Sequence, residues 1–188
     1  MAGVDALRDP VGVRRAIGVV AQKHGFDPDA TGRENLVLQA ELYGLQDRSR
    51  VDELLERFGL QDAADRQAKT YSGGMIRRLD VAIGLIHTPQ VLFLDEPTTG
   101  LDPEARADLW AEIERLAREE RMTILLTTHY LEEADRLASQ IAIVDRGRIV
   151  ARGTPAELKA ELHREAPSDE PPSLNDVYLK HAGRAVAA

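Results

Sequence analysis

Cysteine is absent from the 188 residues, which excludes disulfides and cysteine-based metal sites and fits a cytosolic protein. Long hydrophobic runs are absent too. No stretch approaches the ~20 apolar residues of a membrane-spanning helix, and the amino terminus lacks a signal-peptide profile. Positive charge is in deficit: 24 Lys and Arg face 32 Asp and Glu, for a net charge of −8. That balance argues against nonspecific binding to nucleic acid or anionic lipid, so any membrane role is expected to run through a protein partner. There is no internal repeat. What remains is 43% hydrophobic and 30% charged, the composition of a soluble globular chain long enough for one domain with a sizeable core.

The order of elements reads as an α/β fold. Residues 15–21 form a short apolar strand ending at Gln22, and a turn-rich loop follows over 25–29. Thr31 and Glu34 have the spacing of a capping box. Leu36, Leu38, Leu42 and Tyr43 continue that helix and Gly44 ends it. Val51, Leu54, Leu55 and Phe58 mark a second amphipathic helix closed by Gly59, so residues 31–88 are expected to be mainly helical. After Pro89 strands and helices alternate: strand 91–94, helix 104–120, strand 122–127, helix 130–138. A hairpin is expected around Arg146-Gly147, then a helix over 154–162, an acidic Pro-rich linker over 165–172 and a short helix over 175–180.

The chemistry concentrates at strand ends. Val91 to Leu94 suits a strand covered on both faces, and it delivers Asp95 and Glu96 to a turn that Pro97 takes out of the ladder. Paired carboxylates at the carboxyl end of such a strand sit where open α/β sheets bind ligands. Asp95 has the chemistry to hold Mg²⁺ through water, and Glu96 to polarise an attacking water. In Ser72-Gly73-Gly74, two glycines at a helix start let backbone N–H groups approach a phosphate, the helix dipole adds positive charge, and Ser72 offers a further donor. His129 follows strand 122–127, and an imidazole in that position has the chemistry to contact a terminal phosphate or orient a water. Asp102 before Pro103 reads as a helix-capping turn. Each motif alone has a plain structural explanation.

Together, Gln22, Ser72-Gly73-Gly74, Asp95-Glu96, Asp102 and His129 resemble, in order and spacing, the Q-loop, signature, Walker B, D-loop and H-loop of the ATP-binding cassette (ABC) ATPases. The resemblance covers residues 14–157. Tyr71-Ser72-Gly73-Gly74-Met75, the run from Tyr130 to Asp135 and the closing run from Leu174 to Leu179 are similar to the drug-exporter branch related to daunorubicin resistance proteins. The resemblance implies a P-loop NTPase-like sheet core with a helical subdomain at 31–88, inside a partial ATP-binding domain at 1–163, then a linker and short extension at 164–188. It implies ATP and Mg²⁺ as cofactors, with Asp95 and Gln22 at the metal. Glu96 would be the general base, His129 would contact the γ-phosphate, and Gln22 would relay the state of the site to a membrane permease. Ser72, Gly73 and Gly74 would touch ATP held by a second cassette in a head-to-tail dimer, with Asp102 across the same interface. Met75 replaces the commoner Gln of the signature, and its thioether cannot reproduce the amide's donors.

The family's phosphate-binding loop, Gly-x-x-x-x-Gly-Lys-Ser/Thr, does not occur: none of Lys23, Lys69, Lys159 and Lys180 follows a glycine. Gln22 stands too near Met1 to leave space for that loop, so the sequence is expected to be an amino-terminally truncated form whose remaining strands expose apolar edges. Three readings follow from the resemblance. The first is the ATP-hydrolysing subunit of a drug or antibiotic exporter, peripheral on the cytoplasmic side of the membrane through its permease, with no nucleic acid involved. The second is an inactive pseudo-ATPase that lends its signature to a partner cassette. The third is a cassette ATPase outside transport, disfavoured because neither tandem cassettes nor long coiled-coil insertions occur.

Overall fold

The computed structural model describes residues 2–165 and 170–183. The chain divides into two compact units, Met1–Thr127 and Thr128–Ala188.

The first unit opens with helix α1 (Pro10–Ala16), which the sequence reading missed. Asp9 accepts the Gly12 N–H as N-cap, Pro10 sits at the first helical position, and Arg14 and Arg15 occupy the last turn, where cations complement the dipole. This start signal draws Arg15 and Ala16 into the helix, so strand β1 is Ile17–Val20 rather than 15–21. Helix α2 (Gly32–Leu42) carries the full Thr31–Glu34 capping box, and α3 (Ser49–Arg57) follows. Gly44 and Gly59 end these two helices at φ +74° and +61°. Two short 3₁₀ turns lead to α4 (Gly73–Leu85), then β2 (Val91–Asp95), α5 (Pro103–Arg118) and β3 (Thr123–Thr127).

The three strands form a parallel sheet in the order β1-β2-β3. Val20 pairs with Leu94 and Leu94 with Leu126. On this face Val20, Leu92 and Leu94 are buried, and α4 packs so closely that a Cβ at Gly18 would stand 2.3 Å from the Gly84 carbonyl oxygen. Burying each leucine completely contributes ~1.5–3 kcal/mol. The opposite face carries Val19, Phe93 and Leu125 in register. Val19 is 58% and Leu125 53% exposed, and Phe93 is half-buried. The expectation of a strand covered on both faces therefore holds for one face only. The apolar run at 91–94 suits two layers, and the helices of the first unit leave its second face open.

In the helical region Tyr71 is buried, its hydroxyl donating to the Ala63 carbonyl at 2.7 Å. Burial pushes this phenol's pKa up. Gly32 makes room for the ring: a Cβ there would lie 2.2 Å from the hydroxyl oxygen. The residue before the Ser-Gly-Gly turn is thus anchored under the start of α2. Asn35, also buried, accepts from the Asp27 N–H and donates to the carbonyls of Asp27 and Thr31. It pins the loop after Gln22 to the same helix.

The second unit contains α6 (Leu131–Leu137), β4 (Ile141–Asp145), β5 (Arg148–Gly153), α7 (Pro155–Glu165) and α8 (Leu174–Ala182). The hairpin turns at Arg146-Gly147 as expected, with φ +48° and +75°. Ile143, Leu158, Leu174 and Val177 form its buried apolar cluster, and α8 contributes two of these four side chains. Half of the expected linker, residues 166–169, lies outside the described residues, and Glu165 itself closes α7.

Candidate functional site

The carboxyl ends of β1 and β2 open onto a cleft of about 340 Å³ whose lining includes Gln22, His24, Gly73, Arg77, Glu96 and Gly100. Gln22 is exposed and makes no side-chain hydrogen bond among the described residues, which leaves its amide available. Gly73 is the first residue of α4, and nothing lies within 4 Å of the position its Cβ would take. The start of the helix is therefore sterically open. Ser72, its N-cap, accepts the Met75 N–H at 3.3 Å, and its own hydroxyl proton stays available as a donor. Gly74 differs: a Cβ there would come within 2.9 Å of the Ala105 methyl on α5. Its lack of a side chain serves helix packing.

The acid pair sits in a constrained turn. Asp95 ends β2 and its Oδ1 accepts the Thr127 hydroxyl from the end of β3. Glu96 has φ +45°, a left-handed conformation that costs a non-glycine residue roughly 1–2 kcal/mol. It is held there by its N–H bonded to the Thr127 carbonyl at 3.0 Å and by the Thr99 hydroxyl donating to Oε2 at 3.2 Å. Backbone strain of this kind persists where the surroundings over-determine it, and it clusters at functional sites. Asp102 caps α5, accepting the Ala105 N–H at 2.9 Å from an exposed position. His129 belongs to the second unit, exposed, with its ring 4.2 Å from that of Tyr130.

Of the residues singled out in the sequence, Gln22, Gly73 and Glu96 line one cleft, and Asp95 adjoins Glu96 in the same turn. Ser72, Gly74 and Asp102 flank it in sequence but are not among its lining residues. Sequence reasoning missed a network behind the cleft. The Arg77 guanidinium donates to the carbonyls of Pro97, Ala21 and Asp95 at 2.7, 2.8 and 2.9 Å. Asp80, buried one turn further along α4, meets His24 Nδ1 at 2.5 Å. The available signal was a set of three charged residues, Arg77, Arg78 and Asp80, between Ile76 and Val81 in a helix otherwise built of apolar residues and glycine.

Among the described residues no three His, Asp or Glu side chains cluster closely enough to hold a metal by themselves. Mg²⁺ does not require such a cage: it takes one or two carboxylates, keeps several waters and shares substrate phosphates. The oxygen donors Asp95, Glu96 and Gln22 fit that demand. Gln22 and Glu96 line the cleft and Asp95 adjoins Glu96, so the three would form one wall of such a site.

The family profile described as ABC transporter matches residues 5–99. The chain belongs to the ABC transporter family. It is 47% identical over its whole length to a daunorubicin resistance ATP-binding protein of Streptomyces coeruleorubidus, of which it spans 58%. Over 85% of its length it is 51% identical to the daunorubicin/doxorubicin resistance ATP-binding protein of Streptomyces peucetius, of which the match spans 49%. The chain thus spans about half the length of the curated relatives it matches. A solved structure described as the ATP binding subunit of an ABC transporter superposes with a TM-score of 0.77 at 26% identity, covering 95% of this chain and 73% of that one. The α/β architecture is that of an ABC ATP-binding domain.

Proposed function

We propose that this chain serves as the ATP-binding and ATP-hydrolysing part of an ABC exporter for drugs or antibiotics, coupled to a separate permease at the cytoplasmic side of the membrane. The observation that carries the reading is the cleft that gathers Gln22, Gly73 and Glu96 at the carboxyl ends of parallel strands, with Glu96 in a strained turn beside Asp95. Bound Mg²⁺ would neutralise phosphate charge and orient the phosphates. Asp95 and Gln22 would hold it, Glu96 would take the proton of the attacking water, and His129 would donate to the terminal phosphate. Ser72, Gly73 and Gly74 would serve the nucleotide of a second cassette in a head-to-tail dimer, with Asp102 at that interface. The permease would meet the loop after Gln22 and helix α2. In support, Leu38 and Leu42 stand one turn apart on α2 with 54% and 72% of their surface exposed. No nucleic acid takes part. The domain would run over 1–163, with 164–188 as its extension.

The β/γ-phosphates must be gripped by a loop that this sequence does not contain, because none of its lysines follows a glycine. The sterically open Gly73 at the start of α4 supports one second reading, in which the chain hydrolyses nothing itself and lends Ser72 to Gly74 to a complete partner cassette. A chimera carrying the phosphate-loop segment of a daunorubicin-resistance relative ahead of this chain separates the two. We expect the chimera to hydrolyse ATP, and its Glu96→Gln variant to bind ATP with turnover reduced at least ~10²-fold. Sustained turnover in that variant would remove Glu96 from the chemistry. An inactive chimera that still raises the ATPase rate of an intact relative would establish the second reading instead.

A further inference from the structure

Arg77 carries nearly all its surface inside the fold, with 7% of its side chain exposed, and it spends three N–H donors on backbone carbonyls rather than on a carboxylate. Each carbonyl belongs to a peptide that matters to the cleft. The Ala21 carbonyl shares its peptide plane with the Gln22 N–H, the Asp95 carbonyl with the Glu96 N–H, and the Pro97 carbonyl with the Thr98 N–H. Holding the Asp95 carbonyl before Glu96 and the Pro97 carbonyl after it restrains the rotation about the Glu96 N–Cα bond between them, the bond with the unfavourable φ of +45°. Arg77 stands on α4, one turn beyond the open Gly73. One rigid fork therefore ties the helix of the Ser-Gly-Gly turn to the end of β1 and to the acid turn after β2.

The fork has its own support. Asp80 Oδ2 lies 3.8 Å from Arg77 Nη1 and 2.5 Å from His24 Nδ1. Asp80 is buried, with 6% of its side chain exposed, whereas His24 keeps 48% of its side chain in solvent and lines the cleft two residues after Gln22. The most exposed member of the chain His24–Asp80–Arg77 thus sits at the cleft wall, and its other end bonds the backbone beside Glu96 and Gln22.

We infer that Arg77 is the positioning residue for Glu96 and Gln22, and that Asp80 and His24 make its grip responsive to whatever contacts His24 at the cleft. The inference deepens the reading of Glu96 as the acid that acts on a nucleotide and rests on it for its functional meaning. Its geometry can be scored without nucleotide.

The experiment uses the isotopically labelled chain itself and its Arg77→Lys and His24→Gln variants, compared by backbone amide chemical shifts and by the scalar coupling that reports Glu96 φ. An ammonium cannot reach three diverging carbonyls, so Arg77→Lys is expected to move the Gln22, Glu96 and Thr98 amides together, by more than any amide of β3, and to change the Glu96 coupling. His24→Gln should move the same three amides by a smaller amount, although the His24 ring is hydrogen-bonded to Asp80 and to none of them. An Arg77→Lys spectrum with those three amides and the coupling unchanged overturns the positioning role. If that variant fails to fold, the exposed His24→Gln variant decides, and unshifted Gln22, Glu96 and Thr98 amides overturn the proposal. Titration of the unmodified chain with Mg–ATP separates the two layers. A silent titration counts against the nucleotide reading, while the concerted shifts measured without nucleotide still support the brace.

Discussion

A methyl group added at Gly74 would stand 2.9 Å from the Ala105 methyl, whereas one added at Gly73 would meet nothing within 4 Å. The two glycines of the turn therefore answer to different demands. Gly74 lets α4 and α5 approach, so Gly74→Ala must push the helices apart, and overpacking of this kind costs ~1–3 kcal/mol. Gly73→Ala fills open space at the first position of α4 and reduces the freedom of the unfolded chain, worth ~0.4–1 kcal/mol in favour of the fold. The expected outcome in urea unfolding is a lowered midpoint for Gly74→Ala and an unchanged or raised one for Gly73→Ala. Equal losses at both positions would refute the distinction. The same comparison bears on function, because Gly73 lines the cleft and a methyl there would occupy open space beside the N–H groups of the turn.

At the scale of elements, the junction between α4 and the start of β1 is held by a histidine that cannot easily be charged. His87 stacks flat on Tyr43 at the end of α2, ring centroids 3.8 Å apart, and its Nε2 donates to the Ile17 carbonyl at 2.8 Å. That bond fixes the neutral tautomer and leaves Nδ1 buried without a partner. Burial lowers the imidazole pKa, and the hydrogen bond to the Ile17 carbonyl offsets this only in part. The folded chain then binds fewer protons than the unfolded chain once the pH drops below the ordinary histidine value of 6.5. Stability contributed by neutral His87 is complete above that value and is lost as the pH falls toward the depressed folded pKa. His87→Gln keeps a donor for the Ile17 carbonyl and removes the titration. Urea midpoints measured at about pH 7.5 and about pH 5.5 should fall more in the unmodified chain than in this variant. Parallel falls in both proteins would show that His87 does not carry the acid sensitivity.

Across the whole molecule, what could be read in advance was local. Thr31 and Glu34 announce a capping box within four residues, Gly44 and Gly59 mark their helix ends, and Arg146-Gly147 turns its hairpin. Asp95 and Glu96 stand out because an apolar strand delivers them to a proline. What could not be read depends on partners distant in the chain: Arg77 and Ala21 are 56 residues apart, as are His24 and Asp80. Hydrophobic pattern likewise reports an appetite for burial, not its fulfilment. Val19, Phe93 and Leu125 look as core-like in sequence as Val20 and Leu94, but only the latter pair lies beneath a packed layer. An apolar sheet face left in water should bind a hydrophobic dye such as ANS while the chain remains folded. Val19→Thr and Leu125→Thr replace the two most exposed of these side chains with residues that keep strand propensity, so stability should change by no more than ~0.5 kcal/mol each. The double variant should show clearly weaker dye emission with a thermal midpoint close to that of the unmodified chain. Leu92→Thr, on the packed face, should instead lower the midpoint sharply, because a hydroxyl replaces an apolar group in full burial. Undiminished dye binding in the Val19→Thr/Leu125→Thr chain would place the exposed apolar surface elsewhere.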